Sequence, residues 1–546
     1  MLKRYSRILS TLVFVLGTTL FLHAESLVVQ LDKPFYTAGD PVRYQLYFPS
    51  SFQGQDLALK VAIYHPEGRL ICEHFLKTKE KAYAEGFLKI PYDISSNTYH
   101  WLLLGTSKDG KQRVKLGTIH LPIYNDLTTK DAPRQIPSIP LASLPASELQ
   151  INFEWENTER KRRSPIKGKV QVQDQEGRPV DGVLSVAVKD AALLALGTDN
   201  ELSTHYLELP KQVVNKLSSE IRVLGRTVDQ NGTAVQSVIL SAYLKSENKF
   251  YFTQSDPSGL FSLQLPELTG ERSIQFMDYQ RNAIQVIISD EIALEASPVQ
   301  KNKPSLSTYL DWSRLRKKIY QFYGTIETPI TPKPAAIDRQ NLTPDQRFVM
   351  NHYAPFDDLT IFFNEIVTPF KIRSRGKRGY RARMFNPEQQ IREFYKGSPV
   401  FIVDGYLTRD ANFIYNIPIE KIDTIDLFFF SQSLKQQFGP IGNSGMVIMN
   451  TSLNQLDLPK NDADNVFQLS LVQAQSHTKE DKQYSAEQLE TSPNLLWLTN
   501  QSINSNGTYE LDFQHSDDLG TFLIEITVQS ADGKTSTFSQ YYEVAQ

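Results

Sequence analysis

Cysteine is almost absent from this chain. Cys72 is the single example in 546 residues, so no disulfide can form within the chain. Methionine is scarce as well, at 6 residues, and 58 Lys and Arg nearly balance 61 Asp and Glu, for a formal net charge of -3. No global field therefore draws the chain to nucleic acid. Outside the N-terminal stretch, no apolar run is long enough to span a membrane as a helix. Catalytic signatures are missing too: there is no H-E-x-x-H, no G-x-S-x-G, no Walker glycine loop and no Cys/His metal spacing. The sequence thus predicts a non-enzyme with no catalytic, metal or cofactor residues. Cys72 sits in a strand-like run, two positions from His74, and reads as a buried structural thiol rather than a nucleophile. Asp423 and Asp426 read as surface or turn residues rather than an acid–base dyad.

What is present points to β-structure. Hydrophobic residues make up 40% and aromatics 11%, with Phe (30) and Tyr (25) abundant; such residues suit pleated, half-buried surfaces. The length implies about three to five domains. At the N-terminus, Lys3, Arg4 and Arg7 precede an apolar run from Ile8 to Leu22, and Ala24 offers a cleavage point. This predicts a signal peptide, residues 1–24, with a retained anchor disfavoured by the short run. The mature chain is then exported, periplasmic or peripheral to the outer membrane, with secretion as the alternative.

Residues 26–125 read as successive strands broken at Gly39, Gly68 and Gly110. The stretch Leu31–Tyr47, with Asp32, Lys33, Pro34, Tyr36 and Gly39, resembles the opening of macroglobulin MG2-type domains. The Cys-Gly-Glu-Gln thioester of the protease-trapping macroglobulins is absent. A linker with Pro133, Pro137, Pro140 and Pro145 follows. Gly168–Asp190 alternates around Glu176-Gly177-Arg178-Pro179 and resembles the sandwich repeats that follow MG2 modules. Arg160–Arg163 reads as a solvated loop. Ile221–Ser289, with Gly225, Asn231-Gly232, Asp256, Gly259 and Phe261, resembles the carboxypeptidase regulatory-like sandwich. Asp229–Gly232 has the look of half a calcium loop but reads as a turn. Tyr309, Leu310, Leu315, Ile319 and Phe322 recur at helical spacing with cations between, predicting an amphipathic helix packed on a neighbour; a membrane-surface role is the alternative.

The most specific region is Asp357–Asn450. Val400–Val403 followed by Asp404-Gly405, then Ile422, Asp423 and Ile425, then Gly439, Gly442 and Gly445, resembles the plug domain of TonB-dependent outer-membrane receptors, in its SusC-like version. Val403, Asp404 and Gly405 match the family's V-D-G, and Phe438 stands where Tyr is usual. The resemblance implies a plug without a barrel of its own, since fewer than a hundred residues follow and a barrel of about 22 strands needs several hundred, and a free-standing plug implies by analogy a binding surface. Lys371, Arg373, Arg375, Lys377, Arg378, Arg381 and Arg383 lie in one acid-free segment. They form a candidate interaction surface for an acidic protein face or lipid phosphates, with a solvated loop as the plain alternative. The last segment, with Trp497, Asn506-Gly507, Ser516-Asp517 and Asp532-Gly533-Lys534, resembles the sandwich that closes bacterial macroglobulin-like chains.

The expected fold is mainly β and multidomain: several immunoglobulin- or macroglobulin-like β-sandwiches in series, one α+β plug-like domain and a helical connector. The expected boundaries are 25–125, MG2-like; 126–147, linker; 148–220, second sandwich; 221–296, carboxypeptidase regulatory-like; 297–350, connector; 351–455, plug-like; and 456–546, C-terminal sandwich. The expected function is a non-catalytic envelope scaffold. It binds a protein in or at the outer membrane through the plug-like domain, with no nucleic acid and with peripheral membrane association left open. A secreted adhesion or glycan-binding module is the alternative.

Overall fold

The computed structural model of the protein describes residues 25–127, 148–156, 160–197, 202–210, 212–279, 284–296, 303–323, 340–388, 393–453, 455–471 and 491–546. The expected signal peptide and most of the expected linker lie outside the described residues. Within them the protein is mainly β and multidomain, and no helix is long and apolar enough to cross a membrane.

Four tight turns that carry the chain from one sheet to another share one device. Asp174, Asp229, Asp256 and Asn504 each accept, through Oδ1, the N–H groups two and four residues further on. A glycine three residues on, with positive φ, completes each turn. The side chain replaces a backbone acceptor, so the turn is specified locally. Asp229 is thereby committed to its own backbone, in keeping with the turn reading.

Strand pairing is less local. The first sandwich faces a five-stranded sheet (Tyr36–Thr37, Arg113–Tyr124, Asn97–Thr106, Ala58–Tyr64, Leu70–Lys77) against a four-stranded one (Thr204–Leu209, Glu25–Leu31, Pro41–Tyr47, Tyr83–Lys89). Its core holds Tyr44, Trp101 and Tyr99, fully buried, and also Leu209, Val213 and Leu217. Residues 204–210 and 212–217 therefore belong to the first sandwich, a correction to the expected 148–220 unit. Cys72 is half-buried against this core, and burial pushes its thiol up, away from the nucleophilic range. His74 is buried beside it, bonded to Tyr44 Oη, and burial pushes its ring down to about 3.

The expected second and C-terminal sandwiches are one. Pro165–Gln173 lies between Gln150–Trp155 and Thr508–Gln514, and Gly182–Asp190 lies between Asn494–Ile503 and Gly520–Ser530. A single core joins Ile166, Val170 and Leu184 with Leu511, Phe522 and Ile526. Alternation makes each half look self-sufficient, but each contributes strands to both sheets and neither completes the two layers that cover each other's apolar faces. The third sandwich likewise borrows: Val466–Ser470 extends the sheet of Lys249–Gln254, Ile239–Leu244 and Glu271–Asp278. The fourth unit takes Gln346–Val349 from the expected connector. The modules are thus nested like brackets, the fourth within the third and the third within the second.

Buried polar side chains join the first and second sandwiches beside the apolar cluster of Phe35, Tyr124 and Leu194. Tyr47 Oη donates to Ser185 Oγ at 2.7 Å, and Gln529 Nε2 donates to Phe48 O at 2.7 Å. Lys189 Nζ pairs with the Glu525 carboxylate, both side chains 0% exposed, and Ser203 N–H and Thr204 Oγ1 also donate to Glu525. Burial raises the Glu525 carboxyl, but the attraction of Lys189 and these donors outweigh it and hold the group below its ordinary range.

The helix Leu306–Tyr323 packs across this junction. Leu306, Tyr309 and Leu310 bury against Phe35, Tyr124 and Leu194. Leu315 and Phe322, expected on the inner face, are 58% and 81% exposed. Polar residues take their place. Ser313 Oγ and Lys317 Nζ donate to Asp126 at 2.8 and 2.7 Å, while buried Arg316 and Lys33 flank Asp40 at 3.6 and 2.6 Å. Burial raises Asp40, yet Lys33, Lys317 and Arg316 hold it well below the carboxylate range. Asp32, in the same motif, accepts from Tyr36 Oη at 2.6 Å and Arg43 N at 3.0 Å. In the Arg160–Arg163 loop, Arg163 binds Asp517 through Nε and a terminal nitrogen at 2.6 Å each, and Arg160 covers Trp155. Two of its four cations are structural rather than merely solvated.

Removing one partner of a buried pair strands a charge, whereas removing both does not. Lys189→Met should cost about 3–5 kcal/mol, and Lys189→Met with Glu525→Leu should recover most of that loss. Urea unfolding of the four variants of the cycle measures it; additive losses would contradict the pairing.

Candidate interaction surface

Val400–Val403 lies parallel to Met446–Thr451 and antiparallel to Tyr406–Thr408. The turn residues Asp404 and Gly405 have φ of 49° and 81°, both positive, as a two-residue type I′ turn requires. Asp404 supplies more than a turn: its carboxylate accepts from Thr451 N at 2.7 Å and Thr451 Oγ1 at 2.6 Å. The hairpin is thus fastened to the end of the strand beside Val403. Gly445, at φ 95°, leaves no room for a side chain, since a Cβ would stand 2.6 Å from Met384 Cγ. Gly439 ends the helix Ser431–Phe438, and Gly442 lies in the following turn. Ile422 and Ile425 are buried, and Asp423 is exposed. Asp426 faces away from Asp423 on its strand and takes both Nε and a terminal nitrogen of Arg347, at 2.6 and 2.7 Å. The two acids do not converge.

Both faces of this five-stranded sheet are occupied. Phe401, Val403, Ile425 and Val447 pack on Phe362, Phe363 and Phe370. On the other side Val400, Ile402, Leu407 and Phe428 pack on Tyr243 and Met277 of the third sandwich. Gln275 reads the edge strand twice, its amide donating to Leu407 O at 2.8 Å and accepting from Leu407 N at 2.6 Å. The Arg409 guanidinium donates to Asp278 O and Tyr279 O at 2.7 and 2.8 Å. No sequence signal marks Gln275 or Arg409, because each acts on a segment more than a hundred residues away.

The basic segment forms a hairpin of Phe370–Ser374 and Tyr380–Asn386. Its even-numbered residues, Phe370, Ile372, Ala382 and Met384, enter the core. Its odd-numbered residues face out, and the register sets Lys371 opposite Arg383 and Arg373 opposite Arg381. Lys371 is spent locally: its Nζ donates to Phe363 O and Asn364 O at 2.9 Å each, capping the helix Leu359–Glu365. Burial, then Arg373, lower its pKa. Arg383 stands 5.9 Å from the Phe394 ring centre. Arg375, Lys377 and Arg378 occupy the exposed turn. Among the described residues no carboxylate lies within ion-pair distance of any of the seven. Beside the ribbon runs a groove of about 570 Å³ lined by Arg375, Tyr380, Arg381, Ser398, Arg409 and Asp410. The structure thus gathers the seven cations on one element, apart from Val403, Asp404, Gly405 and the glycines, which build the sheet. Among the described residues no group of three or more His, Cys, Asp or Glu could hold a metal ion.

No protein-family model matches the chain, and no curated protein matches it. Among solved structures it is similar to bacterial alpha-2-macroglobulins. One is the native conformation of the E. coli protein, at 8% identity and a TM-score of 0.24, covering 96% of this chain and 40% of that one. Another is Salmonella alpha-2-macroglobulin reacted with methylamine, at 9% identity and a TM-score of 0.23, with the same coverage. A third is the trypsin-activated E. coli protein, at 9% identity and a TM-score of 0.24, covering 96% of this chain and 42% of that one. The chain spans about two fifths of the length of these structures. A likeness of that size carries no weight for function.

Two predictions follow from the geometry. Asp404→Ala removes a charged acceptor of two hydrogen bonds and should destabilise the fourth unit by about 2–3 kcal/mol; Asp404→Gly, which relieves the positive φ, should lose slightly less. Arg381→Thr relieves a like-charge cross-strand pair and should stabilise by about 0.2–1 kcal/mol. Hydrogen exchange over 400–451 reads the first, and the urea midpoint reads the second; a lowered midpoint for Arg381→Thr would show that the cations are not in conflict.

Proposed function

We propose that the protein is an exported, non-catalytic scaffold of the cell envelope. It binds a component of an outer-membrane transport or assembly system through the plug-like fourth unit. The observation that carries the reading is an asymmetry of charge satisfaction. Buried cations elsewhere, Lys33, Lys60, Arg113, Lys189 and Arg272, each meet a carboxylate, whereas the ribbon's cations meet none among the described residues. The sheet of the fourth unit is consumed by the protein's own third sandwich, which leaves the ribbon side as its outward surface. The nested sandwiches and the helix across the first junction hold that surface on a braced frame, as a scaffold requires. The resemblance of Leu31–Tyr47 to MG2 modules and of Asp357–Asn450 to receptor plugs supports an envelope setting.

Site-specific photocrosslinking tests the reading in cells making the full chain. A photoreactive residue at Lys377 should capture an outer-membrane protein that the same group at Lys167, on the second sandwich, does not. Equal capture from both positions, or none from Lys377, overturns it.

A further inference from the structure

We propose that the partner surface recognised by the basic ribbon is an extended acidic segment of a protein, with carboxylates on alternate residues. The inference rests on the reading of the fourth unit as a protein-binding element and names the chemistry of its partner. Three features of the ribbon carry it.

The first is periodicity. Lys371 and Arg373 project from one face of a strand, the register brings Arg383 and Arg381 beside them, and Arg375 follows at the first position of the turn. Successive cation positions on such a face are about 6.7 Å apart, the distance between alternate side chains of an extended chain. With Lys371 committed to the helix Leu359–Glu365, the positions left are Arg383, then Arg373 with Arg381, then Arg375. Acids at i and i+2 of an extended segment laid along the ribbon meet the two strand positions, and a further acid down the segment reaches Arg375 where it lines the groove beside Arg381.

The second is the residue type. Five of the seven cations are arginine, whose planar fork takes a carboxylate through two parallel N–H donors. Arg373 and Arg381 face each other across the ladder, so one carboxylate between them relieves their repulsion and satisfies both. Facing like charges destabilise the free protein; an acidic strand turns that cost into binding energy.

The third is the tip. A hairpin that buries its tip in a bilayer needs apolar or aromatic residues at its turn. This turn reads Arg375-Gly376-Lys377-Arg378-Gly379, with nothing to insert. The nearest aromatic, Tyr380, stacks on Tyr415 at 3.7 Å between ring centres, and so stays with the protein. The adjoining groove, about 570 Å³, lies within the size range of ligand clefts and gives an extended segment room to run past Arg375 and Arg381. Its wall also carries Asp462 and Asp410, the latter accepting from Asn412 N at 2.8 Å, so the acids of a bound segment must keep to the arginine side of the groove.

The experiment uses the full chain and a fluorescent peptide of about twelve residues in which Glu alternates with Thr. Its control is a peptide of the same composition with all the Glu in one block. The alternating peptide should bind several-fold more tightly than the block peptide, and binding should fade at about 0.5 M salt. Arg373→Glu with Arg381→Glu should weaken it about tenfold or more, as should the milder Arg373→Gln with Arg381→Gln, while Lys534→Glu should have no effect. Circular dichroism checks that each variant keeps its fold. Equal binding of the two peptides, no binding of either, or an unchanged affinity in both double variants overturns the proposal. So does comparable binding to phosphatidylglycerol vesicles that depends on Arg373 and Arg381, since the ribbon would then read headgroup charge. If Lys377 still crosslinks to an outer-membrane protein while neither peptide binds, the acidic-strand partner fails and the scaffold reading stands.

Discussion

The strand Gly182–Asp190 is hydrogen-bonded on both sides by strands from the far end of the chain. Its last turn of contact is ionic, with Lys189 buried against Glu525, 336 positions away. Everything between those two residues is held as a closed loop by this pairing. The third sandwich and the fourth unit are therefore not beads following the second sandwich; they are carried inside it. The entropic cost of closing a loop grows only slowly with its length, so one well-packed sandwich can hold an insertion of this size.

The polar junction between the first and second sandwiches has a different physical character from the apolar cores on either side. A buried ion pair contributes little net stability, because desolvation offsets its attraction. What it does is penalise every arrangement that leaves one partner alone. Tyr47, Ser185, Lys189, Glu525 and Gln529 act in this way, fixing how two smooth sheets meet. The network of Lys33, Asp40, Asp126, Arg316 and Lys317 does the same for the long helix. That network explains why Leu315 and Phe322 could turn outward: the inner face of the helix was completed by charge rather than by hydrocarbon.

Local physics was legible in the sequence and long-range pairing was not. The Asp-x-x-Gly turns, the Asp404-Gly405 hairpin and the alternation of Pro165–Gln173 all speak through neighbouring residues. Alternation says which face of a strand is buried, but not which segment lies about 4.8 Å to its side. Hence the sequence places Gly182–Asp190 and Gly520–Ser530, each a convincing strand, in separate sandwiches although they pair with each other. The same holds at the candidate surface. Seven cations without an acid are visible in the sequence, whereas the capping role of Lys371 and the opposition of Arg373 to Arg381 needed the hairpin register. Arg409 and Gln275 were invisible because their acceptors belong to another module.

The bracket-like nesting also sets an order of events for a chain that emerges from its N-terminus. The first sandwich has all its strands once Thr204–Leu209 has appeared, but the second must wait until Gly520–Ser530 arrives. Through that interval Gly182–Asp190 offers two unpaired edges, the kind of surface that invites wrong partners. The last strands thus act as a latch: their arrival converts a string of half-finished sheets into a closed body, and any chain stopped short of them is left open at its centre.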